Sequence, residues 1–290
     1  MKTKLLLIAG ALAALPAMPS CHRQEASGRV ALSSCRVEHT LPAHVDLRDR
    51  MPCWPVKDQG SRGVCSIFAV TAMLEYEYAQ LTGRPAMLSE EYINWAKNEY
   101  HVARGEADYH DGAFFHWAIY GARDYGVCRT DLMPFRATWA VDDRPQPAPG
   151  ARWDAGKRWV TKIRWIRANT GTEGITPEQL RQIKRSLGDG HPVAIGGKWI
   201  SEGELFDSLS PAPPMMRVPV SGRETQAGHS VLAVGYADDP RIAGGGYLIY
   251  RNSWGDGFGS GGYAHMPYAY ALRCCCDALS VEVGVSLLGL

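Results

Sequence analysis

Three short segments combine residue types whose spacing suits nucleophilic chemistry. In Val56-Lys-Asp-Gln59-Gly60-Ser-Arg62-Gly63-Val-Cys65, a glycine-punctuated loop delivers a cysteine to the start of an apolar-periodic stretch. A thiol at a helix start sits among unpaired backbone N–H groups at the positive end of the helix dipole. That setting favours the thiolate, the nucleophilic form, so a depressed pKa is predicted for Cys65. Gln59 lies six residues earlier on the same loop. Its amide and the Cys65 backbone N–H would make two donors for a developing oxyanion. In Gly228-His229-Ser-Val-Leu-Ala-Val-Gly-Tyr236, an imidazole stands at the open end of a hydrophobic strand, where it can act as base to a thiol. In Asn252-Ser-Trp254-Gly-Asp-Gly-Phe258, an asparagine ends the following strand. Its carbonyl can accept from the far imidazole N–H and fix the tautomer, with Trp254 covering that bond.

The elements that must hold these residues are legible from periodicity. Ile67, Phe68, Thr71, Ala72, Leu74, Tyr78 and Ala79 form a stripe that predicts a helix over 65–81, stopped by Gly83. Helical patterns follow at 89–99, with Ser89 as cap and Glu90 and Glu91 in the first turn, and at 112–125. Residues 33–51 read as polar and irregular, and 142–156 as a proline-rich connector and lobe boundary. Short strands are predicted at 159–167 and 193–199, with a helix at 177–187 between them. The stretches 229–236 and 247–252 read as buried strands joined by a glycine-containing loop. Helices first and strands later predicts an α+β protein with two unlike lobes, residues 45–141 helical and 142–290 β-rich.

The three segments resemble the papain-like cysteine peptidases, in the family's order of Cys, His and Asn. The resemblance extends to Val45-Asp-Leu-Arg48, which looks like the family's mature N-terminus, to Leu88-Ser-Glu90, and to Gly112 through Phe135. It implies a helical lobe and a β-barrel-like sheet lobe with the active-site cleft between them. It also implies Gln59 in the oxyanion hole, Cys65 as nucleophile, His229 as acid–base partner and Asn252 as orienting residue. Gly112 matches a glycine whose backbone pairs with the substrate main chain, although Asp111-Gly112 stands where the family has Gly-Gly. Gly63, Asp111, Gly112, Gly228, Trp254 and Phe258 are the substrate-binding candidates. Four departures are visible. Arg62 stands where the family commonly has a cysteine, so a disulfide across the helical lobe is missing. Ser66 replaces a tryptophan, which predicts space or water beside the thiol. Phe258 replaces a second tryptophan. His229 follows Cys65 by 164 positions against the family's about 130–150, the excess assigned to the connector or to 201–226.

The bland readings are weaker in this context. A lone cysteine is usually a small buried hydrophobe, but Cys65 has three matching partners. Gln59 as a structural loop amide and Asn252 as a turn cap remain alternatives. The glycines at 244–246 and 255–262 have no Walker-type ending and read as hairpin loops. Cys274-Cys275-Cys276 lacks a second ligand pair, so no metal and no cofactor is expected; disulfides are, with Cys35, Cys53 and Cys128.

With 31 basic against 30 acidic side chains, the chain lacks the excess that a phosphate backbone requires, so no nucleic-acid partner is expected. Met1-Lys-Thr-Lys4 followed by the apolar run Leu5–Leu15 has the layout of a secretory signal, assigned to residues 1–20. Cleavage near Ala17 and lipidation of Cys21 are both open, and either predicts a secreted or cell-envelope protein in an oxidising compartment. Residues 21–44 are read as a short prosegment or tether. Together these features predict a monomeric cysteine endopeptidase acting on proteins or peptides through a thioester. An inactive peptide-binding homologue and a thiol acyl or amide transferase are the competing readings.

Overall fold

A computed structural model describes residues 40–51, 55–106, 109–138, 143–169, 171, 174–200, 205–206, 214–219 and 227–286. The signal and Cys21, most of the 21–44 segment, Cys35, Cys53 and most of 201–226 lie outside the described residues.

The chain enters through a three-residue strand, β1 (His44–Asp46), then follows the 55–64 loop into α1 (Cys65–Thr82). The segment read as irregular thus contributes a sheet strand, because its partner lies almost 200 residues away: His44–Asp46 pair with Ala237–Gly235. Helix α1 ends as predicted, with Gly83 in the left-handed conformation at φ 65°. Its apolar residues are not confined to one stripe; Ser66 through Tyr78 are buried almost without interruption. A helix buried all round must have packing on every face, and α1 touches α2 and α3 on one side and the sheet on the other.

Helix α2 (Glu90–Val102) is capped by Ser89, whose hydroxyl accepts from the Tyr92 N–H. Helix α3 (Phe115–Tyr125) begins three residues later than periodicity suggests. Gly112, at φ 64°, bends the chain there instead; a Cβ on it would lie 2.0 Å from the Gly63 carbonyl oxygen. The connector contains a further helix, α4 (Pro149–Ala155), started by proline at its first position. Ala151 and Ala155 pack with Tyr92, Trp95, Cys128 and Met133 in a small second core.

A seven-stranded antiparallel sheet follows. Strands β2 (Arg158–Arg167), β3 (Val193–Lys198), β4 (Gly228–Asp238), β5 (Gly246–Arg251), β6 (Tyr263–Pro267) and β7 (Cys275–Val285) run in the order β2-β7-β3-β4-β5-β6, and β1 adds to β4. Helix α5 (Pro177–Gly188) carries a Thr176–Gln179 capping box, and α6 (Tyr268–Cys274) leads directly into β7. Strand β7 inserts between β2 and β3, so Cys275 and Cys276 open a central strand while Cys274 closes α6. Cys274 and Cys275 are buried, and no disulfide joins any two of the described cysteines; Cys35 and Cys53, the other expected partners, lie outside the described residues. No helix among the described residues is long and apolar enough to cross a membrane.

Candidate active site

Cys65 opens α1 with no side-chain cap, so the first-turn N–H groups remain available. The loop before it is held from the far side of the chain. The Gln59 N–H donates to the Ser253 carbonyl (2.9 Å), the Gly255 N–H to the Lys57 carbonyl (3.2 Å) and the Val56 N–H to Asp256 Oδ1 (2.7 Å). The Gln59 amide is oriented unambiguously: Oε1 accepts from the Ser253 hydroxyl (2.6 Å), while Nε2 donates to the Arg62 carbonyl (2.8 Å). One N–H of that amide remains for another acceptor.

His229, at the second position of β4, meets Asn252 just beyond β5, with imidazole Nε2 2.7 Å from Asn252 Oδ1. The Ser253 N–H also reaches this oxygen at 2.9 Å. A backbone N–H can only donate, which identifies the atom as the amide oxygen. Nε2 therefore carries the imidazole hydrogen, leaving Nδ1 as acceptor. Trp254 lies 4.6 Å from the imidazole and Trp199 4.8 Å, ring centre to ring centre, so the imidazole is walled by two indoles. Phe258 packs against Trp254 at 5.1 Å. Trp199 and Ser253 had no role in the sequence reading; only the fold brings them here.

Cys65 and His229 line one cleft, of about 480 Å³, with Gly63, Asp111, Gly112 and Gly228 also in its wall. Gln59, Trp254 and Phe258 do not belong to that wall; the two rings stand behind the imidazole. Burial dominates the electrostatics. It pushes the Cys65 thiol upward, opposed by donors from Ser230 and from the Ser66 and Cys65 backbone. It pushes the His229 imidazole down to about 4, opposed by Asn252. Burial thus works against the depressed thiol pKa expected from the helix start: desolvation disfavours the charged form, while the first-turn N–H groups favour it.

Two departures noted in the sequence acquire functions of their own. Ser66 lines the open cleft beside Cys65, as expected, and although little exposed its hydroxyl accepts from the Ala113 N–H at 3.3 Å. Arg62 rebuilds a link across the helical side in ionic form. Its Nη1 and Nη2 reach Glu91 at 2.6 and 3.2 Å, its Nε and Nη2 reach Asp111 at 2.9 and 2.7 Å, and Nη1 also reaches the Arg136 carbonyl. Lys97, wholly buried, grips the carbonyls of His110 (2.5 Å) and Gly112 (3.0 Å) on either side of Asp111. The Asp111 carboxylate is therefore committed to this brace, with Asn94 Nδ2 as a further donor at 3.0 Å. A second buried ion cluster, Lys57 with Glu75 (2.7 Å) and Glu90 (2.6 Å), pins the upstream end of the loop. No group of three or more metal-binding side chains converges among the described residues.

This fold and constellation belong to a known class. Residues 41–281 match the family model described as papain family cysteine protease, and the chain belongs to that family. Similar relatives include an oryzain gamma chain of Oryza sativa subsp. japonica, 26% identical, covering 78% of this chain and 55% of that protein. A cathepsin L-like protein of Caenorhabditis elegans is 28% identical, covering 77% and 58%. The chain spans between half and two thirds of the length of these curated relatives. Among solved structures, xylellain, a cysteine protease from Xylella fastidiosa, superposes with a TM-score of 0.66 at 25% identity, covering 84% of this chain and 87% of that one. The bromelain protease from Ananas comosus, solved with the E64 inhibitor, shares the fold with a TM-score of 0.56 at 20% identity, covering 83% and 99%.

Proposed function

We propose that this chain is a peptidase that cleaves peptide bonds through a thioester on Cys65. The observation that carries the reading is the 2.7 Å bond from His229 Nε2 to Asn252 Oδ1, beside the cleft that Cys65 shares. With Nε2 committed, Nδ1 takes the thiol proton as sulfur attacks the carbonyl carbon. Negative charge on the carbonyl oxygen is met by the uncommitted Gln59 N–H and the Cys65 backbone N–H. Collapse expels the amine, which takes the proton from Nδ1, and leaves the acyl group on sulfur. Water, deprotonated by the same nitrogen, then releases the acid and regenerates the thiol.

The leader-like residues 1–20 support a secreted or cell-envelope location, with residues 21–44 as a short prosegment or tether.

The test is to treat the mature protein with an epoxysuccinyl peptide, map the adduct, and assay peptide hydrolysis under reducing conditions. Labelling at Cys65 and hydrolysis are expected, with Cys65→Ala losing both, the rate by at least a thousandfold. Hydrolysis that survives Cys65→Ala, or a wild type without adduct or turnover, sinks the proposal.

A further inference from the structure

We propose that Asp277 selects a cationic substrate side chain, lysine or arginine, in the pocket beside Cys65; this deepens the peptidase reading above and rests on it. Strand β7 enters the sheet beside β3, with Asp277 opposite Gly196, and this register brings the third residue of β7 into the cleft wall. Asp277 is only 3% exposed, yet it lines the same cavity as Cys65 and His229. Its Oδ2 accepts from the Phe115 N–H at 3.3 Å, and the backbone N–H groups of Ala278 and Asn169 also support the carboxylate. Its Oδ1 is buried and has no hydrogen-bond partner among the described residues. Leaving a buried acceptor unmade is costly.

No cation among the described residues offsets that cost. Burial lifts the Asp277 carboxyl to about 7, opposed only by backbone donors. An arriving ammonium or guanidinium would restore the charged form and complete the missing bond. The neighbouring wall suits the stem of such a side chain. Phe114 and Trp117 supply apolar ring surface along which methylenes can lie. On the opposite strand, Gly196 and Gly197 contribute no side chain. Asp111, the other acid of the cleft, is already held by Arg62 and cannot serve the same end. Lys198 stands at the end of β3 in the same cavity, so an anionic side chain is the alternative occupant that an experiment must separate.

The experiment uses fluorogenic peptides carrying Arg, Lys, Leu or Glu at each of the four positions before the scissile bond. Wild type, Asp277→Ala and Asp277→Asn are compared by the ratio of kcat/KM for two peptides within one preparation. That ratio is independent of how much protein has folded. At one position wild type is expected to favour Arg or Lys over Leu by at least tenfold. Asp277→Ala should bring the ratio to one or below, with Asp277→Asn between. A ratio unchanged in both variants overturns the assignment while leaving the peptidase reading intact. So does a wild-type preference for Leu at every position, and a preference for Glu assigns the pocket to Lys198 instead. If wild type cleaves no peptide and takes no epoxide at Cys65, the peptidase reading falls and this proposal with it.

Discussion

The two sides of the cleft are built from different physics. On the helical side, the loop carrying Cys65 is tied down by buried charge: Arg62 to Glu91 and Asp111, Lys57 to Glu75 and Glu90, and Lys97 to two carbonyls. On the sheet side, His229 is fixed by strand pairing, one amide and two indole rings, with no ion pair to the imidazole among the described residues. A loop has no ladder of backbone bonds to set its path, so strong directional side-chain contacts must do it. A strand already has its path, and only the ring's tilt and tautomer remain to be set. The difference also explains how a missing disulfide is tolerated: a guanidinium fork meets two carboxylates with comparable geometric definition.

The largest expected effect tests the charged side. Arg62→Met leaves the Glu91 carboxylate and part of Asp111 without their cation, and should cost about 3–5 kcal/mol in urea unfolding. A loss no larger than that of a surface substitution would show that the brace does not carry the loop. Next comes the sheet side. Asn252→Ala removes an acceptor that matters most when the imidazole is charged, so kcat should fall about tenfold to a hundredfold, the equivalent of a charge-assisted hydrogen bond. Its unfolding midpoint should move far less than that of Arg62→Met; equal losses would erase the contrast between the two sides.

The smallest effect is in the pH profile. His229 accepts a proton in the folded protein only near pH 4, whereas the ordinary imidazole does so near 6.5. The acid limb of kcat/KM should therefore lie near 4, falling tenfold per unit below it as the base becomes protonated. Stability should decline over the same window, from about 6.5 down to 4, because the unfolded chain binds a proton there that the folded one excludes. Since Asn252 opposes the downward shift, Asn252→Ala should move the limb lower still. An acid limb near 6.5 would mean that the imidazole is wet, and that the two indoles do not shield it.

Much of this was legible in the residues. The 65–82 helix, its glycine stop, the Ser89 cap, the 177–188 helix and four of the sheet strands follow from local periodicity and capping chemistry. Strands β1, β6 and β7 did not, because they are short, glycine-flanked or opened by cysteines, and owe their state to the neighbours they pair with. The burial acting on Cys65 is hidden from the sequence for a related reason. A helix start can be read in sequence, but the burial that opposes it is a property of the packed chain.

By itself, then, the sequence determined which residue types stand at the head of a helix, the start of a strand and the end of the next. These are local matters, decided within a turn or a few residues of chain. Only the tertiary structure decided which atom of each amide faces which partner, that Arg62 replaces a covalent link with an ionic one, and that Asp277 comes to the cleft wall beside Cys65. Those outcomes depend on groups tens to hundreds of residues apart, where no sequence period records who meets whom and where desolvation, set by everything packed around a group, decides its charge.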